Sequence, residues 1–150
     1  MSKKEHFRLA SLEVLQPYRL GITFGDGVTL TVDLAAIIDR TAALFPLKDA
    51  TLFAEAGIDE WGMAVSWMQG ELDLSGDNLR AEALEQAGKI SHERIWNWMH
   101  RNGLSLDAAA KGLGISRRML AYYRSGQKPV PRHIWLACVG WEAEREKAAA

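Results

Sequence analysis

The feature that most restricts the fold of this chain is the stretch 104–129, where two helical patterns are separated by one short turn. The alanines at 109–110 are small enough to let a second helix cross close by. Gly114 suits a tight turn, Ile115 is expected to fill the core, and Ser116 is expected to cap the next helix. The stretch therefore predicts two short helices packed across each other.

The second of these helices separates an inward face from an outward face at spacings of three to four residues. The residues expected to face the core are Met119, Leu120 and Tyr123. Those left to face outward are Arg117, Arg118, Ala121 and Tyr122. The major groove of DNA admits one helix, and arginine can bind guanine with two hydrogen bonds, so the outward face suits major-groove reading.

This stretch resembles the helix-turn-helix of the Cro/lambda-repressor-like (XRE) family, and the resemblance covers about residues 90–145. It implies that helix 116–125 is the recognition helix and lies in the major groove. The resemblance gives base and phosphate contacts to Ser116, Arg117, Arg118 and Tyr122, and phosphate contacts to Gln127 and Lys128 in the following loop. Arg132 is assigned to phosphate with them. Two positions depart from the family pattern: Leu106 replaces a frequent phosphate-binding Gln, and Ala109 replaces a common core Leu.

The charge distribution supports a polyanion partner for the second half. The whole chain has a net charge of −1. Residues 1–80 carry seven basic and twelve acidic side chains, whereas 89–133 carry nine basic and two acidic ones. This asymmetry indicates two modules, although a solvated basic face would give the same count.

After Gly88 the pattern is entirely helical. Helices are predicted at 91–102, 105–113, 116–125 and 131–147. Each begins with Ser or Pro, which suit helix starts, and glycines follow the first three. Four short helices with tight turns predict a compact bundle.

The first half is dominated by strand patterns. Residues 18–24 and 28–32 alternate apolar and polar side chains around Gly25-Asp26-Gly27, which predicts a hairpin. Further strands are predicted at 12–15, 63–68 and 72–74. Trp61, Val65 and Trp67 are expected on one buried face. Short helices are predicted at 34–39 and from Asp77, the expected N-cap, to about 86.

The same half resembles a small, widespread bacterial domain of unknown function over residues 10–82. The residues that carry the resemblance are Phe24-Gly-Asp-Gly27, Val32-Asp-Leu34, Phe45-x-Leu47-x-Asp49, Phe53, Val65-x-Trp67, Leu72-Asp-Leu74 and Asp77-x-Leu79. The resemblance implies a small α+β fold of antiparallel strands. It implies no established activity and at most a partner-binding role.

Catalysis, a cofactor and a metal site are not expected. Acidic residues are frequent in the first half, but none pairs with a His or Lys in a recognisable arrangement, and His6 is expected in a frayed end. His92 and His100 lie eight residues apart on one helix, about 12 Å of rise, which is too far for one metal ion. Cys138 is expected to be an inert buried thiol.

Six tryptophans leave the packing of the second half open. The predicted core stripe of the last helix is Ile134, Ala137, Cys138 and Trp141. Trp96 and Trp135 lie outside the core stripes, so either could pack on the first module. Alternatively, the last helix could form a two-fold homodimer, since paired half-sites favour paired readers.

The sequence therefore predicts an α+β protein: a small antiparallel sheet module with short helices at 1–88, and an all-α lambda-repressor-like helix-turn-helix DNA-binding domain at 89–150. The predicted function is sequence-specific binding of double-stranded DNA in transcriptional regulation. The alternative is a non-catalytic, antitoxin-like adaptor whose bundle binds protein instead of DNA. The first module is expected to bind a protein or a small ligand. A polar N-terminus, a single cysteine and the absence of a long apolar run predict a cytoplasmic protein without a membrane span.

Overall fold

The computed structural model describes residues 5–149. The described part of the chain divides into two compact units, with the boundary between residues 87 and 88. The polar N-terminus used to predict a cytoplasmic protein begins with residues 1–4, which lie outside the described residues. Within 5–149, none of the helices has the length and apolar character that a membrane span requires.

The first unit contains two antiparallel three-stranded sheets and three α-helices. Its strands are β1 Leu9–Gln16, β2 Arg19–Phe24, β3 Thr29–Asp33, β4 Gly57–Ile58, β5 Ala64–Trp67 and β6 Leu72–Ser75. Its α-helices are α1 Ala35–Arg40, α2 Ala50–Phe53 and α3 Gly76–Gln86, and 3₁₀ turns occupy Ala42–Lys48 and Met68–Gly70. Together with the helices of the second unit, these sheets make an α+β fold, as predicted.

The first sheet is a meander with strand order β1-β2-β3, and the second has the order β4-β5-β6. The alternation that predicted the hairpin holds in the structure: Leu20, Ile22 and Phe24 of β2 are all buried. From the second sheet, Trp67 completes this core and donates its indole N–H to the carbonyl of Phe53 at 3.0 Å. The predicted strands are therefore present, although β1 is longer than expected and the two-residue β4 was missed.

The structure corrects the prediction for Trp61, which is 74% exposed. Trp61 lies in the turn between β4 and β5. The carboxylate of Asp59 accepts hydrogen bonds there from the backbone N–H groups of Met63 and Ala64. The strand begins only after this turn, so the two-residue period does not extend back to Trp61.

A buried arginine fixes the tip of the hairpin. Arg80 of α3 donates to both carboxylate oxygens of Asp26, at 3.1 and 2.9 Å, and to the carbonyl of His6 at 2.8 Å. His6 is itself buried, which corrects the expectation of a frayed end. Helix α3 also begins earlier than expected, because its cap is Ser75 instead of Asp77.

The second unit is a bundle of four helices: α4 His92–Arg101, α5 Leu106–Leu113, α6 Arg117–Ser125 and α7 Arg132–Ala149. Its core residues are Ile95, Trp98, Met99, Ala109, Ala110, Leu120, Val130, Ile134 and Cys138. Trp141 packs edge-on against Trp98, with ring centroids 5.5 Å apart. The core stripe predicted for α7 therefore faces inward, with Ala137 and Trp141 only partly buried.

Candidate nucleic-acid interface

The turn between α5 and α6 is built from the residues that predicted it. Gly114 ends α5 in the left-handed region at φ 73°, where a glycine avoids the steric cost of a Cβ. The backbone N–H of Ile115 donates to the carbonyl of Ala110 at 3.1 Å. The Ser116 hydroxyl then accepts from the N–H of Met119 at 3.1 Å and caps α6. Helix α6 is thus held at its start by one serine, and the predicted range 116–125 includes this cap.

The inward face of α6 is anchored by Leu120, which is fully buried. Opposite it in the same core, Ala109 of α5 is also fully buried. Met119 and Tyr123 are partly buried, whereas Arg117 and Arg118 are exposed. Packing therefore orients the helix so that its two consecutive arginines face solvent.

The charges at the start of α6 oppose the helix dipole. A helix N-terminus favours acidic side chains, and α3, α4 and α5 each carry one there: Asp77, Glu93 and Asp107 respectively. The first turn of α7 carries none and begins with Arg132. The first turn of α6 has no acidic residue and contains Arg117 and Arg118 instead. Two cations in this position cost helix stability unless an anion lies close to them.

One cluster, formed by Arg118, Tyr122 and Lys128, unites three of the predicted contact residues. Arg118 donates its Nε–H to the Tyr122 hydroxyl at 2.9 Å. Lys128 Nζ lies 4.7 Å from the centre of the Tyr122 ring, in cation–π contact. The tyrosine thus contacts two cations, and the two terminal nitrogens of Arg118 carry its remaining N–H donors.

The position of Lys128 depends on how α6 ends. Gly126 is left-handed at φ 81°, and its N–H donates to the carbonyl of Tyr123. The chain then reverses, and the N–H of Lys128 donates to the carbonyl of Tyr122 at 3.3 Å. Gln127 is exposed in the same turn, and its N–H donates to the Ser125 hydroxyl at 3.4 Å.

Two other predicted residues lie outside this cluster. Arg117 pairs with Asp107 of α5 at 3.5 Å, and both side chains are mostly exposed. An exposed pair of this kind contributes at most about 1 kcal/mol, so Arg117 can exchange it for another anion. Arg132 is exposed in the first turn of α7.

Sequence reasoning missed a cationic side chain on α6 that stacks on a tryptophan. The Arg124 guanidinium lies 4.9 Å from the Trp96 ring centre, and Trp96 remains 51% exposed. Arg124 follows Arg117 by seven residues, or two helical turns, so a search for basic residues at that spacing would have found it. It extends the positive charge along α6.

Other groups offer less chemistry. Burial, with a smaller contribution from the charge of Glu142, raises the pKa of the Cys138 thiol to about 12. Within residues 5–149, no three His, Cys, Asp or Glu side chains are placed to share a metal ion. In the first unit, a groove of about 470 Å³ is lined by Tyr18, Ala35, Ala36, Ile38, Asp39 and Lys48. Its two charged residues already pair with each other at 3.1 Å.

Comparison with known proteins gives one family and one solved structure. Residues 9–85 match the model of the family described as "Protein of unknown function (DUF2442)". The chain is 49% identical to "putative DNA binding protein NE0471" from Nitrosomonas europaea ATCC 19718, whose crystal structure aligns with a TM-score of 0.86 over 92% of this chain and 88% of that chain. No curated protein matches the chain.

Proposed function

This chain belongs to the DUF2442 family of proteins of unknown function, and we propose that its second unit is a sequence-specific reader of double-stranded DNA that acts in transcriptional regulation. The observation that carries the proposal is the reversed charge at the start of α6, where an exposed helix end presents two arginines. A DNA-binding function also agrees with the name of the relative from Nitrosomonas europaea.

In the proposed complex, α6 lies in the major groove with its N-terminal half against base edges. Arg118 uses its two terminal nitrogens on a guanine while Tyr122 holds its Nε, and Arg117 leaves Asp107 to join it. Tyr122 presents the edge of its ring beside them. This arrangement corresponds to a recognition helix of the Cro/lambda-repressor-like kind, to which we assign residues 89–150.

Phosphate contacts surround this reading face. Ser116 accepts a hydrogen bond through its oxygen and can still donate its hydroxyl hydrogen to a phosphate. Lys128 and Gln127 lie in the loop directly after α6, and Arg132 lies at the start of the next helix. These four residues position the helix without reading sequence.

The first unit has a different role in this proposal. Residues 1–80 carry five more acidic than basic side chains, so this part of the chain is repelled by phosphate. We assign it to binding a protein or a small ligand, with no catalytic activity.

The proposal is tested by selecting bound duplexes from a random DNA pool at two salt concentrations. A sequence-specific reader enriches one motif, and the motif becomes sharper at higher salt because non-specific phosphate binding weakens first. If no duplex is retained even at low salt, DNA binding is wrong and the bundle is a protein-interaction adaptor.

Two variants separate the predicted roles. Arg118→Ala is expected to weaken binding to the selected site by about 1–3 kcal/mol and to relax preference at one base pair. Lys128→Ala is expected to weaken binding to all DNA sequences alike. It should also reduce by about one the magnitude of the slope of log affinity against log salt concentration. Competition binding against single-base variants of the site measures the base preference, and repeating it at several salt concentrations measures the salt slope. Equal behaviour of the two variants would contradict the assignment.

A further inference from the structure

The face of α7 that points away from the core is apolar where a surface helix is normally polar. Leu136 and Val139 are 52% and 47% exposed. They belong to a row with alternating spacings of four and three residues: Arg132, Leu136, Val139, Ala143 and Glu146. This spacing places one side chain per turn along a single stripe, as in the seam of paired helices. We call these five residues the α7 seam.

Beside the seam lies a glycine, Gly140, whose missing Cβ is not required by any neighbouring atom of the described chain. A Cβ at Gly140 would meet nothing within 4 Å. At Gly112 of α5, by contrast, a Cβ would lie 2.7 Å from the indole nitrogen of Trp141, which accounts for that glycine. Glycine inside a helix costs about 1 kcal/mol relative to alanine. Gly140 therefore fits the close approach of something outside the described chain.

Next to the seam lies a shallow groove, one wall of which is the ion pair between Arg101 of α4 and Glu142. The groove has a volume of about 300 Å³ and is lined by Val139, Glu142, Ala143, Glu146 and Arg101. The four lining residues on α7 have the relative positions 0, 3, 4 and 7. That set forms the hole into which one side chain of a facing helix inserts.

The charges of the seam specify how a partner helix would run. Arg132 lies seven residues before Val139, and Glu146 lies seven residues after it. An antiparallel copy crossing at Val139 brings each arginine to the glutamate end of the other helix. A parallel copy would place like charges together at both ends, which is unfavourable.

We infer that the second unit forms a two-fold homodimer in which two antiparallel α7 helices cross at Val139. The same axis places the partner's Leu136 at the level of Glu142, over the groove formed by residues 139, 142, 143 and 146. The interface is a single helix pair, so it is small, and the dissociation constant is expected in the range of about 1–100 µM.

This inference deepens the proposed function, because a dimer presents two α6 helices to two half-sites of DNA. Arg132 has a place in both proposals. A guanidinium has five N–H donors, so one side chain can hold a carboxylate oxygen and a phosphate oxygen together.

Analytical ultracentrifugation of the full chain without DNA tests the dimer from about 1 to 200 µM. Wild-type protein is expected to shift from monomer to dimer across this range. Val139→Asp places two carboxylates at the crossing and is expected to weaken association at least about tenfold. Glu144→Arg, on the same helix but off the seam, is the matched control and should leave association unchanged. Circular dichroism checks that each variant remains folded.

A charge exchange tests the antiparallel arrangement independently. Arg132→Glu and Glu146→Arg are each expected to weaken association, and the double variant to restore it. A wild-type monomer at 200 µM, or a double variant no better than either single variant, would overturn the inference. The dimer and the proposed function can fail independently. If the protein dimerises but retains no duplex at low salt, DNA binding is wrong and the dimer interface is supported. If the protein is a monomer but enriches a DNA motif, the dimer is wrong and DNA binding is supported.

Discussion

At the scale of single residues, the central feature is the tyrosine that orders two cations. Arg118 and Lys128 both contact Tyr122, one through its hydroxyl and one through its ring. An arginine held at Nε loses less conformational freedom when it binds a base than an arginine that is free to rotate. In the proposed complex, Tyr122 therefore positions Arg118 in addition to contacting the DNA.

Removing the hydroxyl tests this role. Tyr122→Phe keeps the ring under Lys128 but removes the acceptor of the Arg118 Nε–H. Affinity for the selected site is expected to fall by about 0.5–1.5 kcal/mol, with an unchanged salt slope because no charge is lost. Tyr123→Phe makes the same chemical change one residue away, on the inward face, and should bind like wild type. Fluorescence anisotropy titrations at two salt concentrations measure both; a changed slope in Tyr122→Phe would contradict the positioning role.

The sequence analysis predicted a set of candidate contact residues but not how these residues contact one another. The amphipathic pattern and the turn residues predicted Arg117, Arg118 and Tyr122 on the outward face of α6. The two arginines are exposed, whereas Tyr122 is half-buried. The contact of Lys128 with Tyr122 depends on the path of the chain after Gly126, and no local pattern encodes that path. The start of α6 was predictable because a serine cap has a strong local signature.

At the scale of elements, the hairpin of β2 and β3 is tied to α3 by a charged contact. Burial alone would raise the pKa of Asp26. The hydrogen bonds from Arg80 and from the backbone N–H of Val28, together with smaller charge effects of Arg80 and His6, outweigh burial and lower the pKa. A carboxyl group with a lowered pKa in the folded state stabilises the fold above its unfolded pKa of about 3.9. That stabilisation is lost as the pH falls through the folded-state value.

Asp26→Asn is expected to destabilise the first unit by about 1–2 kcal/mol at pH 7, because it leaves the Arg80 charge without its counterion. The difference from wild type should shrink as the pH is lowered from about 4 to 2, where the native carboxyl becomes protonated. Urea unfolding monitored by NMR signals of the first unit measures both effects. Asp73→Asn, at an exposed position on β6, is the control. A difference that stays constant between pH 7 and 2 would show that the charge of Asp26 does not stabilise the hairpin.

Errors in the predicted elements have a local cause. Trp61 shares the two-residue phase of Val65 and Trp67, yet the Asp59 turn interrupts the strand between them. Strand β4 is only two residues long and therefore has no period that could be recognised. Pattern reasoning located the longer strands and all four helices of the second unit, where several turns repeat the same signal.

At the scale of the whole molecule, the local charge balance distinguishes the two units, whereas the net charge of the whole chain does not. The acidic balance of the first 80 residues and the basic balance of 89–133 nearly cancel in the net charge of −1. Only the local distribution indicates a polyanion partner. The family model ends at residue 85, so the assignment of residues 89–150 rests on the site itself.

The salt dependence of binding is the corresponding prediction. A reader making about four to six phosphate contacts per subunit should lose affinity with a log–log slope of about −4 to −5. The homodimer on a two-half-site duplex should show about twice that slope. Titrations between about 50 and 200 mM salt measure it, with a single half-site as the control. Equal slopes on both duplexes would mean that only one subunit contacts DNA.

The chain has one cysteine, and Cys138 is fully enclosed in the core of the second unit with its thiol pKa raised to about 12. A thiol in this state is neither exposed nor ionised at neutral pH, so alkylating reagents reach it only when the bundle opens. Its rate of modification therefore records the opening of the four-helix bundle alone. Opening of the second unit can therefore be followed separately from the first through the natural cysteine, without introducing another residue.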